Sequence, residues 1–436
     1  MTEADQVAEG LVEIAQLAFW APAYWAEAQQ PNAPDPTRGS AMALATDHRI
    51  EDAPRIVRTP IISADSHITE PGWTYIDNID PTFRDRAPFM TDELPDGATF
   101  HIPGMAQAVR LSLHSAAGKP SDQLTMKGVP FDGLHRAGWD PEARVGAQEK
   151  DGVDGEVIYP SVGMLLCNHR DLDLKKAMFD AYNRWIAGYC AFAPNRLYGC
   201  GQTALRSVDE GITDLEAIKA AGLRGVMLPG TPGTVDETAS SGSNGDYDDP
   251  VWGEFFEASI DLGLVLSFHI LTGKAYRPRG PKLNSFMSII RGNQDLIGTF
   301  VFGGVFDRHP NLDMVCVEAD AGWVPHYSYR MDHAYNRHRN WLTSPELERR
   351  PSEYFADHVY VTFQDDWSAF RMAEVGILSP DRLLWANDFP HSDSTWPYSQ
   401  GMLAEQTKDL SPENVAKIVG GNVVELYGRH DLFPAT

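Results

Sequence analysis

Asp65 and His67 lie two residues apart near the end of the run Ile61-Ile-Ser-Ala-Asp-Ser-His-Ile-Thr-Glu-Pro71, with Glu70 just beyond them. The run opens apolar, which predicts a buried strand, and alternate residues of a strand share a face. A carboxylate and an imidazole converging at a strand end can hold a divalent metal. The competing reading makes Asp65 a loop cap and leaves His67 to pack locally. Other apolar runs close the same way: His269 after Leu264-Val-Leu-Ser-Phe, Glu318 after Met314-Val-Cys-Val, and Asp388 after Leu383-Leu-Trp-Ala-Asn. Burying any of these groups is costly unless it is paired or metal-bound. Together they make a metal centre the economical reading.

The elements that must carry them alternate regularly. Short β-branched or apolar runs fall near residues 61–66, 155–160, 197–204, 223–228, 264–270, 312–318, 358–363 and 382–387. Helix-like stretches lie between most of them, such as 172–192, 208–221, 250–262 and 321–341. Eight strands alternating with helices predict a distorted (β/α)8 TIM barrel, of class α/β, with the polar strand ends on its C-terminal face. No glycine-rich phosphate loop follows any strand, and no GxSxG elbow is present, so nucleotide and serine-triad chemistry have no support.

Long insertions follow three strands and would rise over that face. Residues 72–150 form a cap insertion carrying His101, His114 and His135. Residues 229–250 are rich in Gly, Ser and Asp, and residues 271–290 hold Lys274, Arg277, Arg279 and Lys282. Arg277 is the candidate for binding an acidic group of the substrate, against the alternative of a solvated loop. His169, after the second strand beside Cys167 and Asn168, faces the same mouth and is a second substrate-binding candidate. Residues 1–50 stand apart from the barrel of 51–436: an apolar helical stretch over 8–29, then a linker with Pro31, Pro34 and Pro36. A helix exposing Trp20 and Trp25 is expected to dock on the barrel or a partner subunit.

Acidic residues outnumber basic ones 61 to 36, a formal charge of −25, which excludes binding nucleic acid by bulk electrostatics. Four cysteines lack CxxC spacing and read as core residues of a cytoplasmic protein. No apolar run approaches the roughly 18–20 residues of a membrane span, and the chain starts without the basic flank of a signal peptide.

Three blocks together resemble a known family: Asp65-x-His67-x-x-Glu70-Pro71, Trp385-Ala-Asn-Asp-Phe-Pro-His-Ser-Asp393, and Arg308-His-Pro-Asn-Leu312. They are similar to the amidohydrolase-related proteins, in the branch with aminocarboxymuconate semialdehyde decarboxylase and the aromatic-acid decarboxylases. The helix around Tyr182-Asn-Arg-Trp185 resembles that branch too, and the likeness spans about residues 60–430. It implies a distorted barrel, often dimeric, with one or two divalent ions on Asp65, His67, His269 and Asp388. Two positions depart from the pattern: Asp65 stands where the family commonly has His, and Glu318 where it often has His. The strand at 223–228 offers no Lys or Glu, so a carbamylated-lysine binuclear site is not expected. Two imidazoles and three carboxylates suit Zn, Mn or Fe.

The resemblance gives Asp388 two roles, metal ligand and proton-transfer group. His391 would stabilise an oxyanion, protonate a leaving group, or orient a neighbour; Glu70 would support His67 or anchor its loop. The leading expectation is hydrolysis of a carbonyl compound by a metal-activated water. Non-oxidative decarboxylation of an aromatic or conjugated acid is the alternative, and a diiron oxygenase a second one. A binding protein that kept the fold is disfavoured by the intact ligand set. Fold alone does not choose among them.

Overall fold

Eight apolar segments pair side by side into one parallel sheet. In the computed structural model, which describes residues 56–233, 245–273 and 280–428, they are β1 (Ile62–His67), β5 (Gly155–Tyr159), β6 (Leu197–Gln202), β7 (Gly225–Met227), β8 (Val265–His269), β9 (Met314–Val317), β10 (Val359–Phe363) and β11 (Leu383–Trp385). The hydrogen-bonded order is β1-β5-β6-β7-β8-β9-β10-β11, each neighbour parallel to the next. Nearly every strand residue is buried on both sides, as a parallel sheet wrapped in helices requires. The expected barrel is therefore the observed one. Its eight strands fall within the eight apolar runs or a residue from them. Residues 1–55, which hold the expected docking helix, lie outside the described residues, as do Lys274, Arg277 and Arg279.

The ends of the sheet, β1 and β11, meet at a seam closed by isolated bonds. Asp388 N donates to Asp65 O at 3.0 Å, His67 N donates to Phe389 O at 2.7 Å, and Asn387 N donates to Ser63 Oγ at 2.9 Å. β1 also shifts register against β5 between Ser63 and Ser66, a bulge that re-aims the side chains on either side of it.

The insertion after β1 contains structure that strand periodicity did not reveal. β2 (Phe89–Glu93), β3 (Gly97–His101) and β4 (Val109–Arg110) form a small antiparallel sheet. The insertion ends in α1 (Pro141–Asp151), started by Asp140, whose carboxylate accepts from the amides of Glu142 and Ala143. Gly138 seats the insertion against β1: its carbonyl accepts from Thr69 N at 2.9 Å, and a Cβ there would lie 2.5 Å from Thr69 Oγ1. Gly138→Ala is expected to cost about 1–3 kcal/mol of stability by overpacking. A thermal melt of the variant beside the parent protein checks it.

Candidate metal centre

β1, β8, β9 and β11 deliver their closing residues to one point. His67 Nε2 lies 3.3 Å from Asp65 Oδ1 and 3.5 Å from Asp388 Oδ1. His269 Nε2 lies 3.1 Å from His67 Nε2, 3.7 Å from Asp65 Oδ1 and 3.2 Å from Glu318 Oε2. An ion about 2.1 Å from its nitrogen and oxygen ligands would hold adjacent ones roughly 3.0–3.4 Å apart; three of these five distances lie in that range and the other two are 3.5 and 3.7 Å. Both imidazoles are set to present Nε2. His67 Nδ1 is 3.1 Å from Pro160 O and His269 Nδ1 3.0 Å from Ile270 O, so each Nδ1–H donates to a carbonyl and each Nε2 keeps its lone pair.

The electrostatics require a cation. Asp65, His67 and Asp388 are 0% exposed, and no carboxylate oxygen of Asp65 or Asp388 has a hydrogen bond of ordinary geometry. Burial, then the charge of Asp65, pushes Glu318 well above the usual carboxylate range. Burial does the same to Asp388, with Glu318 and Asp65 adding to it. Burial opposes ionisation of Asp65 too, but the adjacent His269 and His67 imidazoles outweigh it and hold its carboxyl below the usual range. Burial likewise keeps His67 neutral against the pull of Asp65. Without a cation these carboxylates must share protons; a divalent ion would offset the same negative charge. The residues fit a metal.

Two of the carboxylates sit on uncommon backbone. Glu318 has φ +55° and Asp388 φ +50°, left-handed values that cost an L-residue free energy. Such strain concentrates at functional sites, and it turns both carboxylates inward from the strand ends.

Around this set lies a second ring of contacts. His391 stacks on His67 at 3.8 Å between centroids, with Nδ1 3.0 Å from Asp388 Oδ1 and Nε2 2.8 Å from Ser161 Oγ. Ser161 Oγ donates its one proton to Ile68 O at 2.6 Å, so it accepts from His391 Nε2–H. His391 Nδ1 then faces Asp388 as an acceptor, placed to share any proton that Asp388 carries. His114, from the insertion, packs edge-on to His391 at 5.6 Å. Gln364, directly after β10, helps Asp388 ionise through its side-chain amide.

Glu70 is not among the convergent atoms. It accepts from the amides of Ser161, Val162 and Gly163 at 3.0–3.1 Å, and burial raises its pKa to about 7. The loop-anchor reading describes its contacts: it holds the segment whose Pro160 O and Ser161 Oγ fix His67 and His391. His169 turns away in the same sense, with Nε2 2.8 Å from Pro103 O of the insertion and Nδ1 accepting from Asp171 N of its own loop at 3.2 Å, so its nitrogens tie that loop to the insertion. Arg277 lies outside the described residues. Sequence reasoning passed over Ser161, His114 and Gln364. Only Gln364 carried a readable signal, a polar residue closing the apolar run Val359–Phe363.

A family model described as amidohydrolase matches residues 132–429. A 2-amino-3-carboxymuconate-6-semialdehyde decarboxylase of Dictyostelium discoideum is 26% identical over 305 residues, 66% of this chain and 77% of that protein. An amidohydrolase from Mycobacterium avium subsp. paratuberculosis superposes with TM-score 0.68 at 17% identity, covering 85% of this chain and all of that one. A 5-carboxyvanillate decarboxylase from Novosphingobium aromaticivorans, solved with manganese and 4-hydroxy-3-methoxy-5-nitrobenzoic acid, superposes with TM-score 0.60 at 15% identity over 85% of this chain and 96% of that one.

Proposed function

The chain belongs to the amidohydrolase family, and we propose that it is a metal-dependent decarboxylase of an aromatic or conjugated carboxylic acid. The observation that carries this reading is the Asp388–His391 contact, Oδ1 to Nδ1 at 3.0 Å, which places a proton-transfer pair at the edge of the ligand set. Decarboxylation needs a proton for carbon, and no water as reactant. The likeness to proteins named decarboxylases favours it over the hydrolysis that the sequence alone put first.

One ion accounts for the geometry. The two ligand groups, Asp65-His67-His269-Glu318 and His67-Glu318-Asp388-His391, share His67 and Glu318. With its Nδ1 on Pro160 O, His67 has one lone pair and serves one metal. That argues against a diiron centre. Carboxylate-rich ligation and the manganese in the structurally similar decarboxylase favour Mn²⁺ over Zn²⁺ or Fe²⁺. Asp65, His67, His269 and Glu318 would hold the ion, which would supply Lewis acidity toward the substrate's carboxylate.

The rest falls to the chain's own residues. Ser161 fixes the tautomer of His391, and His391 Nδ1 keeps the shared proton on the Asp388 side. Asp388 passes that proton to the carbon bearing the carboxylate. The bond to the carboxylate then breaks, its electron pair restores conjugation, and CO₂ leaves. The pair recovers its proton from solvent.

The test uses the Mn²⁺-loaded protein with hydroxylated benzoates, 5-carboxyvanillate and 2-amino-3-carboxymuconate semialdehyde in D₂O. Release of CO₂ with one deuterium on the carbon that lost it is expected. Product that takes up ¹⁸O from labelled water and releases no CO₂ would overturn the reading in favour of hydrolysis.

A further inference from the structure

Three ligands of the centre, Asp65, His67 and Asp388, flank the one seam of the barrel that isolated bonds close. The strands on either side of every other ligand are held by ladders; at the seam, something else must fix the spacing. Arg144 of α1 is fully buried behind it. Its Nη1 donates to His67 O at 2.6 Å and its Nη2 to Phe389 O at 3.1 Å. These carbonyls belong to the β1 ligand itself and to the residue after Asp388. Arg144 Nε donates to Glu156 Oε2 at 2.6 Å, and its guanidinium lies 4.7 Å from the centroid of the Phe389 ring. Glu156 stands on β5 and also accepts from Gln148 Nε2 at 2.6 Å.

We infer that Arg144 is a positioning residue for the metal centre, its planar fork clamping the two sides of the β1–β11 seam so that His67 and Asp388 keep their spacing. The physical reason for arginine is the fork: it reaches two carbonyls and a carboxylate at once, which a lysine ammonium on a flexible stem does not reproduce. Glu156 neutralises the charge, because an uncompensated buried guanidinium would not be tolerated. The clamp touches neither ligand atoms nor substrate. It acts through backbone, and the insertion that supplies it is thereby coupled to the site. The inference rests on the centre being a divalent metal site.

The test is calorimetric titration of metal-free protein with MnCl₂, beside a thermal melt of the metal-free form. Arg144→Lys keeps the charge and loses the fork. The pair R144M/E156L removes the clamp together with its counter-charge, an exchange for apolar side chains that proteins often tolerate without loss of stability. Both variants are expected to bind Mn²⁺ about 10- to 100-fold more weakly than the parent, the range typical of residues that orient metal ligands. R144M/E156L is expected to do so with an unchanged melt, which a merely structural role would not produce. Either variant binding within about threefold of the parent, judged against that same range, overturns the clamp and leaves the metal centre standing. A parent protein that binds no Mn²⁺ overturns the metal centre itself, and the clamp with it.

Discussion

Asp388→Asn is expected to cut turnover of the metal-loaded enzyme by at least about 10³-fold and, at the same time, to make the metal-free protein more stable at pH 7–8. General acid catalysis by a placed side chain is worth about 10²–10⁴-fold, and this carboxylate is also within ligand distance of the centre. An amide of the same shape leaves packing unchanged but cannot carry the proton shared with His391. The stability gain has a separate cause. Burial, then Glu318 and Asp65, makes ionised Asp388 unfavourable, so at pH 7–8 folding must take up a proton there that the unfolded chain has lost, a cost that a neutral amide avoids. Gain in one property and loss in the other mark a site arranged for function against stability. Loss of both together would instead make Asp388 a structural residue, and unchanged turnover would remove it from the chemistry.

The barrel and the five residues that converge at its strand ends were legible because each rests on a local pattern. Apolar runs of strand length give the elements, and a polar residue closing such a run is conspicuous, as with His269 and Glu318. Asp65 and His67 were legible for the same reason, although the bulge that sharpens their aim was not. What escaped is what depends on distant chain segments. Arg144 sits 77 residues from His67 and 245 from Phe389, and nothing local distinguishes it from a solvated arginine of a polar helix. The left-handed backbone of Glu318 and Asp388 is equally unreadable, since neither is glycine and the strain is imposed by the fold. Glu70 shows the opposite failure. Its spacing from His67 suggested chemistry, but three consecutive amides at the end of β5 claim its carboxylate. Backbone donors have no sequence signature.

The metal-free protein is expected to gain stability by about a few kcal/mol as pH falls from 8 to 6.5, while its affinity for Mn²⁺ falls over the same range. Glu318 and Asp388 are raised well above the carboxylate range, and burial raises Glu70 and Asp151 to about 7. The folded protein therefore holds protons that the unfolded chain, with carboxylates near pKa 4, has already lost. Stability then falls as pH rises toward each raised value. Below about pH 6.5 the trend is opposed. Burial lowers the pKa of His67, His391 and His114, the last to about 3, so the unfolded chain takes up protons there that these folded residues refuse. Asp65 contributes in the ordinary acid sense, its stabilisation lost only below the unfolded carboxylate range. The metal reverses the upper part of the profile, because it binds the ionised carboxylates and a proton on Glu318 competes with it. Thermal melts with and without Mn²⁺ across pH 5–9 should accordingly converge toward acid and separate toward base. A metal-free profile that instead climbs from pH 6.5 to 8 would mean that these carboxylates are ionised without a cation, and that the charge argument for the centre is wrong.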